Sequence, residues 1–223
     1  QQNKLGTVAI YERTGNNWDE VTRGFNESES LVSITGGEVR CEEGSASEYT
    51  CSEVDMVSFL SVEDLGGTRG VQLNDVWGWT DPSSGREYAL VGRYDGTSFV
   101  DVTDSSNPRY LGNLPMTTGA RGNSWRDIKV YKNHAFIVAD GSGPHGMQIF
   151  DLTRLREVGN EPLTFEVDAH YSSIASAHNV VINEESGFAY VVGVNGGGET
   201  CGGGLHMVNI QDPLTPIFSG CFA

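Results

Sequence analysis

The chain has 223 residues, 38% of them hydrophobic, and a formal net charge of −16. That length and apolar content allow one ordinary globular core, while the acidic balance argues against nucleic acid or an anionic membrane surface as partner, since both need a basic face. No apolar run is long enough to span a bilayer, and 29 glycines suit an all-β chain dense in turns.

From the N-terminus, residues 5–13 alternate in the manner of a strand, and 18–22 and 31–35 continue it as a meander. Residues 26–30 form a polar loop with an Asn-x-Ser sequon, its acidic residues read as solvation. Residues 41–51, acidic and Ser-rich between two cysteines, read as a stapled loop. In 54–65, Val54, Val57, Phe59, Leu60 and Leu65 recur at mixed spacings, which predicts a short helix or turn packed on the first full repeat unit. The chain opens on Gln1-Gln2 and is expected to be a processed or trimmed product. Residues 1–70 are read as a partial or divergent version of a unit that starts at about residue 71.

That unit is stated three times, over about 71–115, 124–171 and 172–223, with 116–123 as a linker. Its first run is Asn74-Asp75-Val76-Trp77, then Arg126-Asp127-Ile128-Lys129, then His178-Asn179-Val180-Val181, so that Asp75, Asp127 and Asn179 fall 52 residues apart. Each copy contains four short runs rich in Val, Ile, Phe, Tyr and Thr, parted by Gly, Asp, Asn and Ser, and each ends on a run led by Pro108, Pro162 or Pro216. A period of roughly 40 to 50 residues carrying four strands predicts a β-propeller of four-stranded antiparallel blades, three full ones here plus the partial N-terminal one. A β-sandwich is the competing arrangement.

In a propeller the first strand of each blade lines the central channel. Asn74, Asp75, Arg126, Asp127, His178 and Asn179 are therefore the candidate channel-lining or ligand-binding residues. Recurring Asp and Asn at one position have two readings: they cap backbone N–H groups at the channel mouth, or they converge as a ligand floor or cation site. In the second reading Asp75, Asp127 and His178, with His145 as a possible addition, are the metal ligands for a divalent cation such as calcium. Asp101, Asp151 and Asn209 also recur, each leading into a turn, and are read as structural Asx residues. His134 and His206 lie in strands and are expected to be packed.

Four cysteines suggest two disulfides, most naturally Cys41 with Cys51 and Cys201 with Cys221, although three connectivities are possible. Neither spacing resembles a structural zinc hook. Such bridges would contribute about 2–4 kcal/mol each and persist only in an oxidising compartment.

Several runs, set side by side, closely resemble the bacterial choice-of-anchor B family of LVIVD-repeat proteins. They are Asn-Asp-Val-Trp-Gly-Trp-Thr-Asp-Pro at 74–82, Trp-Arg-Asp-Ile-Lys-Val-Tyr at 125–131, His-Gly-Met-Gln-Ile-Phe-Asp-Leu-Thr at 145–153 and Ala-His-Asn-Val-Val-Ile-Asn at 177–183. The likeness runs from about residue 38 to 223 and takes in both cysteine segments, while 1–37 look more like the tail of an integrin-type extracellular repeat. It implies an exported or surface-attached β-propeller whose members carry further blades beyond Gly220-Cys221-Phe222, and it supplies little chemistry.

The expected function is a secreted or cell-surface scaffold that binds a protein or an extracellular polymer and assembles with further blades or with other copies into an oligomer. The alternative is a metal-dependent enzyme with its site in the central channel. The sequence holds no Gly-x-Ser-x-Gly elbow, phosphate loop or His-Glu-x-x-His motif to support it.

Overall fold

The computed structural model describes residues 7–14, 17–25, 32–68 and 70–222. Strands β1 (Thr7–Thr14) and β2 (Asn17–Phe25) pair as an antiparallel hairpin. The meander expected to continue through 31–35 does not: Ile34 bridges Phe59, and Val39 bridges Met56. The sequon loop lies outside the described residues. A small hairpin, β3 (Ser45–Ala46) with β4 (Tyr49–Thr50), fills the loop whose ends, Cys41 and Cys51, lie at disulfide distance with Cα atoms 5.8 Å apart.

Of the short helix or turn expected over 54–65, the turn is present at 62–66, while 54–60 is extended and carries the bridges at Met56 and Phe59. Leu65 N–H reaches the Ser61 carbonyl and Gly66 N–H that of Glu63, but Gly66 then takes a φ of +74°, which ends the winding. A side chain at Gly66 would strike the Tyr110 hydroxyl. The turn is fastened to the strands beyond it by the Leu65 carbonyl, which accepts from Ser98 Oγ at 2.6 Å and Arg93 Nη1 at 2.9 Å.

Three larger sheets hold the rest. The first contains β5 (Leu73–Thr80), β6 (Glu87–Arg93), β7 (Gly96–Asp101) and β8 (Arg109–Pro115) in consecutive antiparallel order. The second begins with β9 (Arg126–Tyr131), β10 (His134–Ala139) and β11 (Met147–Asp151). Lys132 and Asn133, both with positive φ, make the two-residue turn between β9 and β10, as the twist of a hairpin favours. After β11 come β12 (Leu163–Thr164) and β13 (Ala169–Tyr171), and then the third sheet, β14 (Asn179–Asn183), β15 (Phe188–Val192), β16 (Leu205–Asn209) and β17 (Ile217–Phe222). Asp101, Asp151 and Asn209 each accept the backbone N–H two residues ahead at 2.9–3.0 Å, the turn role read from their repetition. Among the described residues no helix is long and apolar enough to cross a membrane.

One strand leaves its own unit. The run after Pro162 pairs in parallel with β8, Leu163 opposite Gly112, so it widens the first sheet, and β13 closes the second. The cause lies in the 3-10 helix Leu152–Glu157, which buries Leu152 and Leu155 against the first sheet. Its Arg156 clamps the fully buried Asp81 through two bonds of 2.6 and 2.9 Å, drawing the chain across. Gly112, at φ +142°, completes the contact, because a Cβ there would overlap the Leu163 carbonyl oxygen.

The second sheet is buried on both faces, which explains why β10 reads His-Ala-Phe-Ile-Val-Ala with no polar alternation. Ala135 and Ile137 join Tyr88, Leu90, Phe99 and Phe150 in a core against the first sheet. Phe136 and Val138 join Val180, Ala189, Val191 and Val208 in a core against the third. Phe99 and Phe150 stack at 4.6 Å, with Phe165 edge-on to Phe99.

The first strands of the three sheets, β5, β9 and β14, run beside one another. Asp75 Oδ2 accepts the N–H of Ile128 at 2.7 Å, and Asp127 Oδ2 accepts the N–H of Val180 at 2.6 Å. In the first two units the carboxylate at this position thus bonds the next unit's first strand. Asp127→Ala leaves a buried N–H and Lys129 without their partner, and is expected to cost about 1–3 kcal/mol in urea unfolding. Asp127→Asn, which keeps an accepting oxygen, is expected to lose less.

Candidate functional site

The six residues singled out in the sequence line one cavity of about 250 Å³, together with Trp125. Asn74 and Asp75 sit at an irregularity in β5, where Asp75 adopts φ +65°, a conformation Asp tolerates better than most side chains. Arg126 and Asp127 open β9, and His178 and Asn179 stand at the start of β14. Trp125, just before β9, is 57% exposed and is not among the residues to which the repeat points. Its adjacency to the recurring Arg126-Asp127 pair is the signal in the sequence that could have found it.

Most of these groups are already engaged. The Asn74 side-chain amide donates to the Arg126 carbonyl at 3.2 Å, and both aspartates hold the backbone N–H groups of the neighbouring first strands. The second oxygen of Asp127 accepts from Lys129 Nζ at 2.5 Å, and that ammonium also lies over the Trp77 ring at 4.4 Å. His178 Nδ1 lies 2.9 Å from Asp140 Oδ2, with its ring 6.2 Å from that of Trp125. The Asn179 carboxamide has no partner among the described residues.

Among the described residues, Asp75, Asp127 and His178 do not bring three ligand atoms within 4.8 Å of one another. Asp75 is bonded through Oδ2 alone, to the Ile128 N–H, whereas both oxygens of Asp127 are bonded, to the Val180 N–H and to Lys129. The one grouping of sufficient closeness among the described residues, Glu199 with Cys201 and Cys221, has its two sulfurs at disulfide distance from each other, Cα to Cα 5.2 Å. His145 is also withheld from such a role.

Arg126 is almost fully buried, its Nε bonded to the Arg93 carbonyl and its Nη1 2.8 Å from His145 Nε2, with Nη2 unpartnered. Burial pulls the guanidinium down to about 10 against the opposing attraction of Asp95. His145 is wholly buried. Its Nδ1–H donates to the Gly146 carbonyl, which leaves the Nε2 lone pair to accept from Arg126. Burial first and the Arg126 charge second press His145 down to about 4.

The remaining histidines are structural. His134 bonds the Lys132 carbonyl, His170 the His145 carbonyl, and buried His206 the Tyr171 hydroxyl and Glu199 carbonyl. The Gly-rich loop 195–204 makes an internal contact as well: a Cβ on Gly197 would overlap the Ala175 nitrogen.

A histidine lowered from 6.5 unfolded to about 4 folded binds fewer protons when native, so its stabilisation is complete above pH 6.5 and is lost as the pH falls towards 4. Urea unfolding at pH 7.5 and 4.5 is expected to show a loss whose His145 share approaches about 3 kcal/mol. His145→Gln, which can still accept from Arg126, is expected to remove that share and leave the part due to His206, also lowered by burial. The chain matches no protein-family model, and no curated protein sequence resembles it significantly.

Proposed function

We propose that the three sheets are successive blades of a β-propeller and that the protein is an exported binding scaffold, which completes its ring with further blades or with other copies of itself. The resemblance to the choice-of-anchor B and LVIVD-repeat family belongs to the same reading. Two cysteine pairs at disulfide distance favour an oxidising, extracellular or cell-surface setting. A net charge of −16 favours a protein or an uncharged polymer over nucleic acid.

The observation that carries this reading is the unfinished series of inter-strand bonds. Asp75 reaches β9 and Asp127 reaches β14, while Asn179, next at the same interval, is exposed and unpartnered among the described residues. The face of the third sheet turned away from the second carries a cross-strand row of Val181, Tyr190 and Met207, and Phe222 on the same face is 71% exposed. Apolar sheet surface of this kind is normally covered. Asn179 Oδ1 would supply the acceptor for the next strand's N–H, as Asp75 and Asp127 do.

Light scattering on the purified chain tests the assembly. The expected result is association at micromolar concentration, reduced to monomer by Val181→Lys with Phe222→Lys. A single sharp monomer peak for the unaltered chain would contradict it.

A further inference from the structure

We infer that the cleft on either side of Trp125 is a binding site for a neutral saccharide, a proposal that rests on reading the sheets as an extracellular binding scaffold. Trp125 lines both the cavity of about 250 Å³ that holds Asp75, His178 and Asn179 and a second of about 380 Å³ lined by Gln72, Leu73, Asn74 and Ser124. Trp125 keeps 57% of its surface exposed between them, although a tryptophan ordinarily buries most of its area. No contact within the fold explains that exposure, whereas Trp79, on β5, is 6% exposed and bonds Asn133.

The charge in the cleft selects the ligand class. The charged groups lining it are Asp75 and Asp127 against Arg126, and the Asp127 charge is met by Lys129 outside the lining. An anionic polymer meets a protein of net charge −16, and a cationic ligand finds a single ring and, in Asp127, a carboxylate already paired with Lys129. A neutral ligand meets neither difficulty.

The uncommitted polar groups select further. Among the described residues the Asn179 amide Nδ2, which a next strand held on Oδ1 would leave open, the Gln72 carboxamide, the Ser124 hydroxyl and His178 Nε2 have no partner. They place donors and acceptors side by side without a net charge, which matches vicinal hydroxyls, each able to give and to take a hydrogen bond. A pyranose ring adds an apolar C–H face of the size of an indole, and so satisfies both halves of the cleft. A peptide side chain would need an apolar pocket, and Leu73 and Trp125 are the only large apolar groups lining either cavity.

The test is retention of the purified chain on insoluble cellulose, chitin and mannan, followed by titration calorimetry with the matching soluble oligosaccharide. At least one of these is expected to bind, with affinity falling about tenfold or more in Trp125→Ala and less in Trp125→Phe. Asn179→Ala is expected to weaken binding as well, and thermal unfolding of Trp125→Ala is expected to match the unaltered chain because the ring is exposed. Failure of all three polysaccharides to retain the protein, or unchanged affinity in Trp125→Ala, would overturn the site. Light scattering reads the assembly separately: intact association without saccharide binding sinks the site alone, and a monomer that binds saccharide through Trp125 sinks the assembly alone.

Discussion

A carboxylate on the first strand of one sheet accepting a backbone N–H from the first strand of the next is the constraint on which the arrangement of the large sheets depends. Hydrophobic contact between sheets is non-directional and would tolerate sliding. The bonds from Asp75 to Ile128 and from Asp127 to Val180 are directional, and they set the register of β5, β9 and β14 along one another. Because Asp127 is 5% exposed and also bonded to Lys129, the charge is neutralised where it is buried.

The two cores then result from the double burial of the second sheet. β10 carries apolar groups towards both neighbours, and the stacked Phe99 and Phe150 fill the space on one side. The crossover of β12 adds a covalent tie between the first two sheets that no packing contact could equal. It is fastened by Arg156 on Asp81 and admitted by the missing side chain of Gly112. The first sheet is thereby bound to the second at both its inner and its outer edge, and the third is joined to the second at its inner edge, through the core and by the Tyr171–His206 and Lys132–Gln211 bonds.

The same carboxylates shape the chemistry of the cleft. Carboxylates held by backbone and lysine are fixed walls, and the exposed Trp125 lines the cleft with them. Arg126 and His145 beneath form a buried cation and neutral imidazole, a pair whose geometry depends on the imidazole remaining unprotonated.

Much of the architecture was legible in the residues because strand formation is local. The short runs rich in Val, Ile, Phe, Tyr and Thr and the Asx turns at Asp101, Asp151 and Asn209 appear within short windows of sequence, and the interval joining Asp75, Asp127 and Asn179 appears from their repetition. The pairing of Cys41 with Cys51 and Cys201 with Cys221 was suggested in the same way, by proximity along the chain. What sequence alone determined, then, was the strands, their turns and the positions that repeat. Tertiary structure decided where hydrogen-bonding capacity was spent: that Asp75 and Asp127 each hold the N–H of a neighbouring strand, that the run after Pro162 joins the first sheet, and that Trp125 stays exposed. The reason is that a side chain's free valence is set by groups some fifty residues away, such as the Ile128 and Val180 N–H, which no local pattern brings into view.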